Sequence, residues 1–286
     1  MDVISHASFG RLHCSETMRS PEHEGRLQVL LERFPGFVEG KPASRTAIEL
    51  LHQPDYVRSI EALDSECWLD PDTYATPSTW EAACLAAGCA IDAVEAGAVA
   101  LVRPPGHHAL AGSAMGFCIF GNAAIAARHA QLELGCSRIA VIDFDVHHGN
   151  GTEALFRDDR NVLTVSMHQW PFWPGSGGPG SSAEGIVNVP LGAGSGDEAY
   201  VAAFAEIVEP AVRGFDPDLV LVAMGLDAHR DDPLAEMALT ANGFGELARR
   251  CGALGPRLAA VLEGGYNLET LPDLVEAVLD GLESER

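Results

Sequence analysis

The chain has 286 residues, room for one large α/β domain or two small ones. Its residues are 47% hydrophobic and 21% charged, with a mean hydropathy of +0.07, a balance that can bury a core and excludes a disordered chain. Lys and Arg number 18 against 41 Asp and Glu, a formal charge of -23, which repels nucleic-acid backbones and draws in cations, so no nucleic-acid partner is expected.

Taken in chain order, the predicted elements alternate. A helix over 79–96, capped by Ser78 or Thr79 and carrying Glu81 in its first turn, leads into an apolar run at 98–102. Ala-rich helical spacing at 123–134 precedes an apolar strand at 138–146 and another at 162–167. An irregular segment at 169–185, with five Gly and three Pro, leads to a strand at 186–191 and a helix at 197–212. A strand at 219–224, a helix at 241–254 and a strand at 258–262 complete the pattern. Near-continuous Val and Ile runs between helices indicate strands covered on both faces. The expected fold is α/β, a single domain over 1–286 built on an open, mostly parallel sheet with helices on both faces.

Seven scattered cysteines, without a CxxC pair, suggest neither a disulfide framework nor a cysteine zinc site. The start MDVISHASFGRLHC has no basic-then-apolar pattern, and no run of 18 uncharged apolar residues occurs. These features predict a soluble cytoplasmic protein with no membrane partner.

Four segments that follow predicted strands carry the polar chemistry. In RIAVIDFDVHHGNGT (138–152), a period of two puts Asp143, Asp145 and His147 on one face at the strand's carboxyl end. Carboxylate beside imidazole suits zinc or a similar divalent ion, and ligands of parallel sheets bind at that end; the alternative is a strand exit capped by Asp and His turns. GLDAHRDDP (225–233) offers Asp227 to the same crevice, with His229, Asp231 and Asp232 open to reading as solvated turn residues. RPPGHH (103–108) offers His107 and His108 for proton transfer, or two surface histidines. LEGGYN (262–267) presents Tyr266 either as an oxyanion donor or as packing. Jointly they indicate metal-assisted hydrolysis.

These segments, with SPEHEGRL (20–27), GFCIFGNAAIAA (116–127), SMHQ (166–169), WPGSG (173–177) and GLDAHRDDPL (225–234), make the sequence resemble the zinc-dependent histone deacetylase and acetylpolyamine amidohydrolase superfamily, in its class II-like branch. The resemblance implies the arginase/deacetylase fold and one Zn2+ held by Asp145, His147 and Asp227. It also implies a catalytic His107 and His108 paired with Asp143 and Asn150, and an oxyanion-stabilising Tyr266. It further implies a substrate channel that uses Phe117, Trp173 and Gly116, a rim aspartate at Asp72, and a monovalent cation such as K+ near Asp143 and Ser166. Leu234 stands where polyamine-selective relatives can carry a glutamate. Ser20, Pro21 and Glu22 replace the usual HPE, and Gly121 and Asn122 replace paired asparagines, neither change touching the implied chemistry. The implied activity is removal of acetyl groups from lysine side chains of proteins or peptides, with acetylpolyamines or other small acylated amines as the alternative substrates. Fe(II) also suits an Asp/His/Asp site. An arginase-like binuclear centre lacks a ligand, because Asp227, Ala228 and His229 stand where a second DxD pair is needed. A non-catalytic acyl-lysine binder predicts loss of His107, His108 or Tyr266, and all three are present.

Overall fold

The computed structural model describes residues 1–284. In its first part the elements are β1 (Val3–Ser5), α1 (Gly25–Arg33), β2 (Val38–Glu39), α2 (Arg45–Glu49), α3 (Pro54–Glu61), β3 (Cys67–Trp68), β4 (Tyr74–Ala75), α4 (Thr79–Ala96) and β5 (Val99–Ala100). There follow α5 (Asn122–Glu133), β6 (Ile139–Asp143), α6 (Asn150–Phe156), β7 (Val162–Gln169), β8 (Ile186–Leu191), α7 (Asp197–Ala203) and α8 (Glu209–Phe215). The last are β9 (Leu219–Met224), α9 (Ala241–Gly252), β10 (Leu258–Leu262) and α10 (Leu271–Glu283).

Eight strands form one sheet in the order β2-β1-β5-β10-β9-β6-β7-β8, each neighbouring pair parallel; β3 and β4 make a separate antiparallel pair. LVLVAM in β9 and LAAVL in β10 are buried throughout, as strands covered on both faces must be. Helix α4 buries residues on every side, consistent with its Ala-rich apolar sequence, and packs against α5 and β10; Ser78 stands at its N-cap, but the expected side-chain capping bond is not made.

The predicted elements at 79–96, 186–191, 219–224 and 258–262 have the observed bounds. The strand expected over 138–146 stops at Asp143. Beyond it the N–H groups of Asp145, Val146 and His147 donate to the carboxylates of Asp143, Asp227 and Asp145 instead of to a neighbouring strand. Two-residue alternation therefore does not place Asp145 and His147; a carboxylate-lined loop does. The helix expected over 197–212 is α7 and α8 joined by a π-helical turn, Phe204–Val208. Pro210, with no N–H to give, sits just after that turn and explains the widened ladder.

A buried ion cluster ties the N-terminal segment to the sheet. Arg103, after β5, donates Nε and Nη2 to the two Glu22 carboxylate oxygens at 2.9 Å each, and further bonds to the carbonyls of Leu12 (2.7 Å) and His13 (2.9 Å). Arg26 lies 3.4 Å from Glu22 and donates to the carbonyls of Glu263 (2.5 Å) and Gly265 (2.7 Å) after β10. Burial alone would raise the Glu22 carboxyl, but the guanidinium of Arg103, with help from Arg26, overrides it and holds the group at about 2. The folded value lies below the unfolded 4.5, so ionised Glu22 stabilises the fold above about pH 4.5 and loses that contribution as pH falls towards 2. We predict that Glu22→Gln lowers unfolding free energy by about 3 kcal/mol at pH 7, measured by urea titration, with the deficit shrinking as the pH is lowered through that window. An equal deficit at pH 7 and pH 2.5 would contradict it.

Candidate active site

β5, β10, β9 and β6 are consecutive in the sheet and parallel, so their carboxyl ends share one edge. The four polar segments leave from these ends. That edge gathers residues as far apart in the chain as His107 and Tyr266, and it is the ligand-binding side of a parallel sheet.

Asp145, His147 and Asp227 place one donor atom each within 4.8 Å of one another, and all are buried or nearly so. His147 Nδ1 is 3.1 Å from Asp145 Oδ1 and 3.1 Å from Asp227 Oδ2. The two aspartates are further fixed by backbone donors: Gly264 N–H (2.9 Å) and His147 N–H (2.9 Å) to Asp145, and Val146 N–H (2.8 Å) to Asp227. Burial tends to lower His147, yet its hydrogen bonds to Asp145 and Asp227 lift it to about 10. Burial pushes Asp227 up, whereas His107 and His147 outweigh burial at Asp145 and hold it far below the usual carboxylate range. Two buried carboxylates with one imidazole between them form a donor set that fits a divalent cation, and the backbone makes room for it. A Cβ at position 264 would lie 2.3 Å from Asp227 Oδ2 and 2.5 Å from Asp145 Oδ2.

Two imidazoles stand beside this cluster, their ring centroids 3.8 Å apart. His107 Nδ1 donates to Asp143 Oδ2 at 2.8 Å, and His108 Nδ1 donates to Asn150 Oδ1 at 2.7 Å. Burial lowers both rings, but Asp145 and Asp143 overcome it for His107, which is held well above the ordinary histidine value. His108 faces a neutral amide and its charged neighbours, and stays well below. Glu263, fully buried, accepts the N–H groups of Gly106 (2.6 Å) and His107 (3.1 Å) with one oxygen, while its other oxygen has no hydrogen-bond partner among the described residues. Burial pushes its carboxyl up to about 7.

A cavity of ≈ 200 Å³ opens from these groups, lined by Asp72, His108, Gly116, Phe117, His147, Phe172, Trp173, Leu234 and Tyr266. The Trp173 ring meets His108 edge-on at 4.6 Å, Phe172 stacks on His147 at 5.3 Å, and Phe117 meets Tyr266 at 5.7 Å. Burial holds the Tyr266 phenol well above its usual value, so it is an O–H donor at neutral pH. Asp143 and Ser166 sit side by side on β6 and β7 and line a second cavity of ≈ 10 Å³.

The structure thus brings together every site residue singled out in the sequence. Asp143 is hydrogen-bonded to His107, the pairing that the resemblance implies, and stands outside the three-ligand group whose strand face the two-residue period had assigned it. Asp232 is not a solvated turn residue; it is buried and bonded to the backbone of Tyr266 and Leu234. Glu22 and Asn122 do bear on the site indirectly, because Glu22 holds Arg103 and Asn122 Nδ2 donates to the Pro104 carbonyl at 2.9 Å, both in the turn that carries His107. Phe172, Glu263 and Asp70 were not singled out. Phe172 stands one residue before Trp173, Glu263 stands inside LEGGYN, and Asp70 accepts the Gly116 N–H at 3.1 Å from a hairpin too short to leave a periodic signal.

Residues 12–282 match the family model described as histone deacetylase domain. A rice protein (Oryza sativa subsp. japonica) named "Histone deacetylase 10, chloroplastic" is 41% identical over 284 residues, 89% of this chain and 63% of its own. A Methanothermobacter thermautotrophicus protein named "Probable deacetylase" is 39% identical over 99% of this chain and 91% of its own, and the human "Polyamine deacetylase HDAC10" is 41% identical over 83% and 40%. The solved structure of the HDA15 HD domain superposes with a TM-score of 0.93 at 32% identity, covering 99% of this chain and 91% of that one. The fold is an α/β fold on a parallel sheet, and the chain belongs to the histone deacetylase family. It spans a little under two thirds of the rice relative and two fifths of the human one. No helix among the described residues is long and apolar enough to cross a membrane.

Gly264→Ala is predicted to lower affinity for a divalent metal by roughly 10- to 100-fold, because the added methyl displaces both carboxylates. Competition against a chromophoric chelator reads this; unchanged affinity in a folded variant would contradict it.

Proposed function

We propose that this chain is a zinc-dependent deacetylase that hydrolyses the acetyl-amide bond of acylated lysine side chains in peptides or proteins. The observation that carries the reading is the conjunction of the Asp145/His147/Asp227 donor set with two differently tuned histidines at the inner end of an aromatic pocket. Zinc, when bound there, supplies Lewis-acid polarisation of the acetyl carbonyl and acidifies a water molecule.

The protein's own groups do the rest. Because Asn150 accepts the Nδ1 proton, His108 keeps its Nε2 lone pair free on the pocket side, and its lowered basicity keeps it neutral and able to take the proton of the attacking water. His107, held on Asp143, keeps a positive imidazolium beside the reacting carbonyl. The departing amine is protonated from the histidine pair, and the Tyr266 hydroxyl donates to the oxygen on which negative charge develops. Phe117, Phe172 and Trp173 clasp the methylene stem and exclude water, while Asp72 at the pocket accepts N–H groups of the substrate. Asp143 and Ser166 supply a carboxylate and a hydroxyl for a monovalent cation, and potassium suits that hard oxygen set.

Acetylpolyamines are the second reading, favoured by the name of the human relative. Leu234 supports the lysine reading, since an apolar side chain at its place in the pocket lining offers a second ammonium group no counter-charge there. The seven free cysteines suit a reducing compartment such as the cytoplasm, although two relatives carry chloroplast names.

Acetate release from zinc-loaded protein is expected with acetyl-lysine peptides, and Tyr266→Phe is expected to lower kcat by roughly 100- to 1,000-fold. Turnover of acetylated polyamines alone would transfer the assignment to the second reading, and release unaffected by Tyr266→Phe would remove Tyr266 from the mechanism. Asn150→Asp places a charge on His108, raises its pKa, and moves the acid limb of the kcat/KM profile to higher pH by about a unit. Coincident profiles for the two proteins would contradict this role of Asn150.

A further inference from the structure

The loop after β9 and the loop after β10 are fastened to each other by a carboxylate that the reaction scheme does not use. Asp232 is 7% exposed. Its Oδ2 accepts the Tyr266 N–H at 2.7 Å, and its Oδ1 accepts the Leu234 N–H at 2.9 Å. Asn267 Nδ2 adds a bond to the Asp231 carbonyl at 2.8 Å. The carbonyl of Gly265 belongs to the same peptide unit as the Tyr266 N–H, and it accepts from Arg26 Nε at 2.7 Å. That peptide plane is therefore gripped at both ends, by Arg26 and by Asp232. Gly265 has φ +119°, a conformation that side chains other than glycine rarely adopt, so the direction in which Tyr266 leaves the backbone depends on what holds this plane.

We propose that Asp232 is the positioning residue for Tyr266, fixing the reach of its hydroxyl into the pocket and, through Leu234, the wall opposite. The inference rests on the deacetylase reading for its catalytic consequence.

The residue type supports it. Two N–H donors from different loops converge on Asp232, and only a carboxylate offers two acceptor oxygens with no donor. An asparagine of the same shape would set an NH2 against one of the two N–H groups. Burial and the nearby Asp227 of the metal cluster push this carboxyl up, and the two backbone N–H bonds work against that rise, so the acceptor form that the geometry uses is favoured by the same two loops that it joins.

The test is a cycle of Asp232→Asn, Tyr266→Phe and the double variant in the 286-residue chain, with kcat, KM and bound zinc measured on acetyl-lysine peptide. Asp232→Asn is expected to lower kcat by roughly 10- to 100-fold, with KM within about threefold and zinc content unchanged. In the Tyr266→Phe background the same change is expected to cost less than about threefold. An equal loss in both backgrounds, a loss that tracks zinc content, or a change in KM alone would overturn the proposal. If the unaltered chain releases no acetate, the deacetylase reading fails by itself, and the crystal structure of Asp232→Asn then decides the positioning claim: a displaced Tyr266 supports it, and a Tyr266 in its original place overturns it.

Discussion

Asp145 and Asp227 are buried together, at 1% and 0% exposure, with His147 reaching both. Like charges this close in a low-dielectric interior repel strongly unless a cation stands between them. Much of the local backbone serves that one electrostatic demand. The chain leaves the sheet after Asp143 so that three successive N–H groups can bond to carboxylates, and position 264 has no side chain because the carboxylates occupy the space. The parallel order of β5, β10, β9 and β6 supplies the rest, since it brings four loop starts to one edge whatever their separation in the chain.

The same edge separates the proton chemistry from the cation. His107 and His108 are neighbours in sequence with nearly touching rings, yet one leans on a carboxylate and the other on an amide. Their basicities are pushed apart in opposite directions, which is what acid and base roles in one reaction require. The pocket above them is apolar on its walls and polar at its base, a shape suited to a long methylene stem ending in an amide.

Much of this was legible in the sequence because it lies in long, strongly patterned runs. The six Val-, Ile- and Leu-rich runs that became β5 to β10 announce themselves by continuous hydrophobicity, and each of the four polar clusters stands directly after one of them. What the pattern did not carry lies in short or irregular pieces. β1 and β2 have three and two residues, the β3–β4 pair two each, and none leaves a period to detect. Asp145 and His147 fit a strand's alternation on paper and sit in a loop in fact, because carboxylates, not a neighbouring strand, satisfy the backbone there. The supporting residues Glu22, Asp232 and Glu263 are charged groups in positions that composition would assign to solvent; only the three-dimensional neighbours, Arg103, Tyr266 and His107, explain their burial.

The account stands on a cation at one place in the fold. Anomalous diffraction across the zinc absorption edge, from crystals of the zinc-equilibrated protein, locates that ion without reference to activity. A single strong peak bounded by Asp145, His147 and Asp227 is the predicted result. An absent peak there, with zinc bound elsewhere or not at all, would contradict the assignment on which the rest depends.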